Sequence, residues 1–276
     1  MTKHTNPAPY QVAAETFVIP ELHLQPGAPA VYVNSLLIRG SEPVIVDTGN
    51  VLNREAWMSQ VFSLVDPADV RWIYLSHDDA DHVGNLDAVM DLCPQATVVS
   101  EWFLWERLSG AITIPIERQR WLGVGDSFQA GDRTLVTARP PMFDSPTTKG
   151  LYDPTTGVYW AVDSFACPVF APIQDVEDID ADAWRPMMTV TNRSATPWFE
   201  WVDADKFRQH VDQVERLGIT TIASAHSPAI TGERVAVAFD AMRDLPTTQP
   251  MPFPGQADLD AMVAATMAAA AEPLAA

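Results

Sequence analysis

The chain has 276 residues, 47% of them hydrophobic, enough to bury a full core in one large domain. Its 36 acidic residues against 17 basic ones give a formal net charge of −19, which repels phosphate backbones and anionic headgroups and argues against nucleic-acid and membrane partners. The imbalance reflects scarce basic residues rather than acidic blocks, and solubility alone accounts for much of it.

Cys93 and Cys167 stand alone, without a C-x-x-C pair, so neither a disulfide framework nor a thiolate metal site is expected. The opening residues lack the apolar segment of a signal peptide. No apolar run approaches the roughly 18 residues that a membrane span needs. These features lead us to expect a cytoplasmic protein.

In chain order, residues 11–20, 30–39 and 44–46 are short, rich in Val and Ile, and punctuated by Gly, Pro and Asn, as strands are. Residues 53–65 place Trp57, Val61, Phe62 and Val65 at helical spacing, with Asn53 available as a cap. A strand over 70–75 runs into Ser76-His77-Asp78-Asp79-Ala80-Asp81-His82, followed by a helix over 84–93 and a strand over 97–100. This alternation is that of a layered α/β protein. Hairpins follow, with strands over 127–130, 133–138, 149–152 and 158–162 and turns at Gly131-Asp132 and at 153–157.

Residues 165–201 are Pro-containing and acidic (Asp175, Glu177, Asp178, Asp180, Asp182) and are expected to form an irregular insertion or lid. A helix over 203–217, a strand over 219–223 ending at Ser224-Ala225-His226, and a helix over 232–245 complete a domain over 1–245. A Pro-rich linker over 246–254 and an Ala-rich helix over 256–271 make up the tail, 246–276. No internal repeat is evident.

The segment 76–82 carries the chemistry. Asp78, Asp79 and Asp81 lie so close together that they repel one another unless cations neutralise them. Imidazole and carboxylate together suit Zn, Fe or Mn. A solvated acidic turn with a helix-capping Asp would not explain two histidines bracketing the carboxylates directly after a buried strand.

Ser-His-x-x-x-Asp-His-x-Gly after an apolar strand resembles the signature of the metallo-β-lactamase superfamily, usually His-x-His-x-Asp-His. The resemblance covers about 31–245 and implies an αββα sandwich (fold class α/β) holding two metal ions. Asp79 stands where the second histidine is usual. An acid there is similar to the His-x-Glu-x-Asp-His of flavodiiron proteins and of stand-alone oxygen-binding diiron proteins.

The resemblance assigns His77 and Asp79 to a first metal and Asp81 and His82 to a second. It makes Asp163 the shared carboxylate and His226 the last ligand of the second site. On residue type alone, Asp163 could be a turn aspartate and His226 a core histidine. The family's remaining ligand is a His on the hairpin, but residues 139–146 contain none. Asp144, before Ser145-Pro146 and the Leu151-Tyr152-Asp153-Pro154 segment that resembles the diiron group's Tyr-Asp-Pro, is the match, with an Asx-type turn as the alternative. Asp47 matches a buried superfamily Asp that sits behind the site and orients a ligand His or loop backbone. Asp78 is left as exposed or catalytic. His4, His23 and His210 are expected at the surface, and Trp198 and Trp201 could line the pocket.

The resemblance implies two metal ions. Four carboxylate ligands carry about −4 in total, which two divalent ions would neutralise. The oxygen-rich first site favours Fe, with Zn or Mn as alternatives. The leading function is a diiron centre that binds or reduces dioxygen or nitric oxide. With neither a flavodoxin-like domain nor a flavin fingerprint, electrons would come from a separate partner protein and no flavin is expected. The alternative is a dinuclear zinc hydrolase acting on an ester, thioester, lactone or phosphoester, although four anionic ligands weaken Lewis acidity. A further alternative is a non-catalytic binding module or oxygen sensor. The substrate is thus a gas or another small molecule, and a homodimer is compatible with all three.

Overall fold

Every residue of Ser35–Ile38 and Val44–Val46 is buried, the mark of strands covered on both faces. Their alternate side chains divide between two layers. Leu36, Ile38, Val44 and Val46 pack against a second sheet, whereas Leu37 and Ile45 pack against helices. In this computed structural model, which describes residues 3–24 and 29–271, that division repeats on the other side and gives helices, sheet, sheet, helices: the expected αββα sandwich.

The first sheet has seven strands in the order Gln119–Trp121, Thr97–Ser100, Trp72–Tyr74, Val44–Val46, Ser35–Ile38, Thr16–Ile19, Tyr10–Ala13. The second has five, in the order Ser127–Ala130, Arg133–Ala138, Gly150–Asp153, Val158–Trp160, Thr221–Ala223. Tyr74, Leu135, Leu151 and Trp160 fill the space between them. Outside the first sheet lie the helices Arg54–Phe62, Leu86–Leu92 and Trp102–Leu108, anchored by Trp57, Val61, Leu86, Val89 and Leu104. Outside the second lie Ala181–Ala195, Ala204–Glu215 and Arg234–Arg243, anchored by Trp184, Met188, Phe207, Val211 and Phe239. A small third sheet joins Lys3–Thr5, Leu22–Leu24 and Val31–Tyr32.

Several expectations need correction. The runs 11–20 and 30–39 are each two strands, the first folding into the Tyr10–Ala13/Thr16–Ile19 hairpin with Glu15 at φ +55° in its turn. The segment 165–201 is not irregular throughout. It contains the fifteen-residue helix Ala181–Ala195, whose N-terminus Asp180 caps by accepting from the backbone N–H groups of Asp182 and Ala183. Strand Gln119–Trp121 and helix Trp102–Leu108 had no counterpart in the sequence reading.

Asp153, in the Tyr-Asp-Pro segment, is buried. It pairs with Arg133 and accepts from Thr155 N and Thr156 Oγ1, which closes the turn that Gly157 (φ +72°) completes. The tail helix Gln256–Ala271 forms as expected, and every side chain described from Met251 to Met267 is exposed. Residues 272–276 of the tail and the side chain of His4 lie outside the described residues. Among the described residues no helix is long and apolar enough to cross a membrane.

Candidate metal centre

Parallel pairing decides where the chemistry gathers. Val44–Val46 runs parallel to Trp72–Tyr74, and Val158–Trp160 runs parallel to Thr221–Ala223, so each pair delivers its C-terminal ends to one edge. Asp47 directly follows the first of these strands. His77, Asp163 and His226 follow the other three within a few residues. Asp47 (φ +58°) and Val162 (φ +56°) both sit in the left-handed region, which is costly for residues bearing a Cβ and most of all for β-branched Val162. That strain turns the chain sharply at both strand ends and aims Asp47 and Asp163 inward.

At this edge Asp163 lies among three imidazoles. Its Oδ1 is 3.1 Å from His82 Nε2 and 3.2 Å from His226 Nε2, and its Oδ2 is 3.3 Å from His77 Nε2. Asp81 Oδ2 is 3.6 Å from His226 Nε2 and 3.8 Å from His82 Nε2. Asp79 Oδ2 is 3.6 Å from His77 Nε2. Three ligand-type groups result, with donor atoms within 4.8 Å of one another in each: His77/His82/Asp163, Asp81/His82/His226, and His77/Asp79/Asp144. The structure therefore gathers all seven residues expected from the sequence, Asp144 included.

Nε2 of His77, Nε2 of His82 and Oδ1 of Asp163 are buried and, although they lie close together, have no hydrogen-bond partner among the described residues. Buried polar atoms left unpaired in this way are costly, and a cation held between them removes the cost. The donor set of carboxylates and imidazoles accordingly fits a pair of metal ions.

The electrostatics agree. Burial alone would raise the pKa of Asp163, but His82 and His77 hold it well below the usual carboxylate range. Burial opposes charging His82, yet Asp163 and Asp47 raise its pKa well above the ordinary histidine value. The Asp163 carboxylate does the same for His226, again against burial. The His77 imidazole lowers Asp79. Asp144 behaves oppositely: although its surface is exposed, partial desolvation of the carboxyl by its neighbours, then the charges of Asp163 and Asp79, raise its pKa, and nearby His77 only partly offsets them.

Asp47, wholly buried, organises the back of the cluster. Its Oδ1 accepts from Ser76 N (2.8 Å), and its Oδ2 accepts from Ser76 Oγ (2.7 Å), His82 Nδ1 (2.9 Å) and Trp160 Nε1 (3.0 Å). A carboxylate only accepts, so in the neutral imidazole the proton of His82 sits at Nδ1 and Nε2 is the nitrogen left for a metal. His226 is oriented likewise, its Nδ1 donating to the Tyr32 carbonyl at 2.7 Å. The Asn34 side chain donates to the carbonyls of Ser224 and Ser227 and so fixes the loop around His226. Gly84 closes the motif because a Cβ there would lie 2.5 Å from Val51 N and 2.7 Å from both Ala80 O and Gly49 O.

The sequence reading missed Trp160, Tyr32 and Asn34; the alternation placing Trp160 toward the sheet interface was a signal for the first, and none pointed to the other two. Asp78 stays outside the cluster. His23 is half-buried beside Glu21, and half-buried His210 donates to the Pro140 carbonyl, so neither is the surface residue expected. Trp198 stacks on Phe199 and packs against Phe143, next to Asp144, whereas Trp201 is 83% exposed.

The chain resembles known proteins in both sequence and structure. It is 31% identical over 153 residues to a putative diflavin flavoprotein A 2 from Nostoc sp., covering 54% of this chain and 26% of that protein. It is 24% identical over 148 residues to a nitric oxide reductase from Moorella thermoacetica, covering 54% of this chain and 37% of that protein. The rubredoxin oxygen:oxidoreductase of Desulfovibrio gigas superposes with a TM-score of 0.76 at 14% identity, over 88% of this chain and 62% of that one. The chain spans about a quarter to a third of the length of the first curated relatives it matches, 26% and 34% for two of them. A family model described as ODP family beta lactamase matches residues 31–227, which include all of the second sheet, all of the first but the Tyr10–Ala13/Thr16–Ile19 hairpin, and every strand end that supplies the cluster. On that match, the chain belongs to the ODP family of β-lactamase-type proteins.

Proposed function

We propose that this chain holds two iron ions and uses them to bind or reduce dioxygen or nitric oxide, with electrons from a separate donor protein. The observation that carries the reading is the donor set. Four carboxylates (Asp79, Asp81, Asp144, Asp163) accompany three imidazoles (His77, His82, His226), and hard oxygen donors favour iron or manganese over zinc. His77, Asp79 and Asp144 would hold the first ion, Asp81, His82 and His226 the second, and Asp163 would serve both. When bound, such a pair supplies redox electrons and open positions for a small diatomic ligand.

The residues around the cluster contribute orientation and charge. Asp47 and the Tyr32 carbonyl hold His82 and His226 with Nε2 toward the centre, and the carboxylates balance the ions' charge. The relatives named as a nitric oxide reductase and an oxygen oxidoreductase support the same substrates here. The test is elemental analysis of protein from iron-supplied cells, with optical spectra before and after exposure to air and gas consumption by the chemically reduced protein. Two irons per chain with consumption of either gas are expected. Two zinc ions per chain without iron, or an iron-loaded protein inert to both gases, would overturn the reading.

A further inference from the structure

One acid of the motif points away from the cluster. The chain is extended at Asp79 (φ −69°, ψ 148°), so neighbouring side chains alternate in direction. His77 and Asp79 turn toward the metal-ligand groups, and Asp78 between them turns the other way. There its Oδ1 accepts from Thr147 Oγ1 at 2.8 Å and from Ser145 Oγ at 3.3 Å. Its Oδ2 accepts from Arg107 Nε on the helix Trp102–Leu108. Ser145 and Thr147 are buried, and their hydroxyls lie 2.9 Å apart. The Asp78 side chain is itself 8% exposed.

Ser145 directly follows Asp144, on the connection between Arg133–Ala138 and Gly150–Asp153. Asp144 is exposed and faces the like charges of Asp163 and Asp79. Without a tether, repulsion would drive this segment away from the motif. Arg139 braces the connection from within, donating to the carbonyls of Pro146 and Thr148, and Lys149 N docks its far end on Ser76 O. Asp78 adds the side-chain tie from the motif to the residues next to Asp144.

We propose that Asp78 is a positioning residue that clamps Ser145 and Thr147 to the motif and so keeps the Asp144 carboxylate in reach of His77 and Asp79, setting the affinity of the first metal. This rests on the reading of those three residues as a metal site. The carboxylate suits the task because one oxygen serves two hydroxyls while the other serves a guanidinium. Asn at this position would keep an acceptor for the hydroxyls and lose the charge that holds Arg107.

The test is an anaerobic titration of metal-free protein with cobalt(II), read by its visible spectrum and by competition with a chelator. Wild type is expected to take two equivalents. Asp78→Ala, and Thr147→Val, which is close to isosteric, should each weaken one equivalent about ten- to a hundredfold and leave the other unchanged, with Asp78→Asn between them and wild type. Asp180→Ala, which removes a helix cap distant in sequence, should lower the melting temperature and leave both affinities intact, separating positioning from general stability. Wild-type affinities in both Asp78→Ala and Thr147→Val, or equal weakening of both equivalents, would overturn the clamp while the two-metal reading stands. A wild-type protein that fails to take two equivalents would overturn that reading and the clamp with it.

Discussion

Replacing Asp47 by Asn probes how the site is held from behind. In the wild type, Oδ2 accepts from Ser76 Oγ, His82 Nδ1 and Trp160 Nε1, and Oδ1 accepts from Ser76 N. An amide placed with its oxygen toward Ser76 N turns two donors toward the other three groups. The Ser76 hydroxyl can rotate and accept. Trp160 Nε1 can only donate and loses its partner. His82 can accept at Nδ1 only by moving its proton to Nε2, the atom that faces Asp163 and the cluster, which disables it as a ligand. With the amide flipped, Ser76 N is orphaned instead. Either way one or two buried donors lose their partners, at about 1–3 kcal/mol each, so the metal-free protein should lose about 1–6 kcal/mol. Metal affinity should fall about ten- to a hundredfold on top of that, concentrated in the equivalent that His82 serves. Urea denaturation of the metal-free protein and a cobalt(II) titration measure the two effects separately. An unchanged midpoint together with wild-type affinity for both equivalents would refute the argument that Asp47 fixes the tautomer of His82.

Asp163→Ala should lose both metals, because its carboxylate lies within 3.3 Å of all three imidazoles; wild-type metal content by elemental analysis would show that it is not shared. Gly84→Ala drives a Cβ into three backbone atoms and should cost about 1–3 kcal/mol in a denaturant melt, an unchanged midpoint being the refuting result. Burial pushes the Lys149 ammonium, whose side chain is 1% exposed, down from 10.5 to about 8. Between those values the unfolded chain keeps a proton that the folded one has lost, so this group adds stability as pH rises from about 8, by at most about 3 kcal/mol. Lys149→Met should abolish that rise between pH 8 and 10 in the metal-free protein, and parallel stability curves for the two proteins would count against it.

The parts of the fold legible in the sequence are those whose patterns are regular. Strand Thr97–Ser100 and helix Ala204–Glu215 declare themselves through a run of β-branched residues and through Phe207, Val211 and Val214 at helical spacing. Helix Ala181–Ala195 does not. Of its apolar residues only Trp184 and Met188 are fully buried, its remaining inward face is Thr189, Asn192, Arg193 and Ser194, and Pro186 lies within it. Those polar residues tolerate burial because they are hydrogen-bonded: Thr189 to the Arg185 carbonyl and Asn192 to the Met188 carbonyl one turn back, and Asn192 also to both backbone groups of Ala166, in a separate segment. Such pairing depends on tertiary neighbours, and hydrophobic periodicity cannot report it.

The same distinction separates the candidate site's residues. Adjacent candidate ligands on one segment, His77 to His82, are visible as a motif because a single strand end and turn bring them together. Asp144 lacks the expected histidine and is recognised by its place on the hairpin, and its proximity to Asp79 emerges only when the two sheets pack. Tyr32 acts through a backbone carbonyl, which any residue type supplies, so no side-chain pattern marks it. Asp78 looks like one more carboxylate in an acidic run until the extended backbone turns it to the opposite side.

The two halves of the cluster are supported differently, and the difference bears on function. His82 is buried against Asp47, His226 is fixed by Tyr32 and the loop bound to Asn34, and Asp163 is 14% exposed at the end of a strained strand. His82, on the helix Ala80–Val83, is held against Asp47 at the end of a strand of the first sheet, while Asp163 and His226 follow strands of the second, so moving them would disturb the interface between the layers. On the other side Asp79 is 47% exposed and Asp144 is exposed on a connection between strands. Ligands held by loops adapt more readily than ligands held by strands, because fewer buried contacts oppose their displacement. The Asp79–Asp144 side is therefore the more solvent-exposed side of the cluster, against 27% for Asp81 and 20% for His226 on the other, and Phe143 and Trp198 pack beside Asp144. An acid at position 79, in place of the histidine usual in the motif it resembles, thus changes the charge on the more exposed side of the cluster and leaves the groups that hold His82 and His226 as they were.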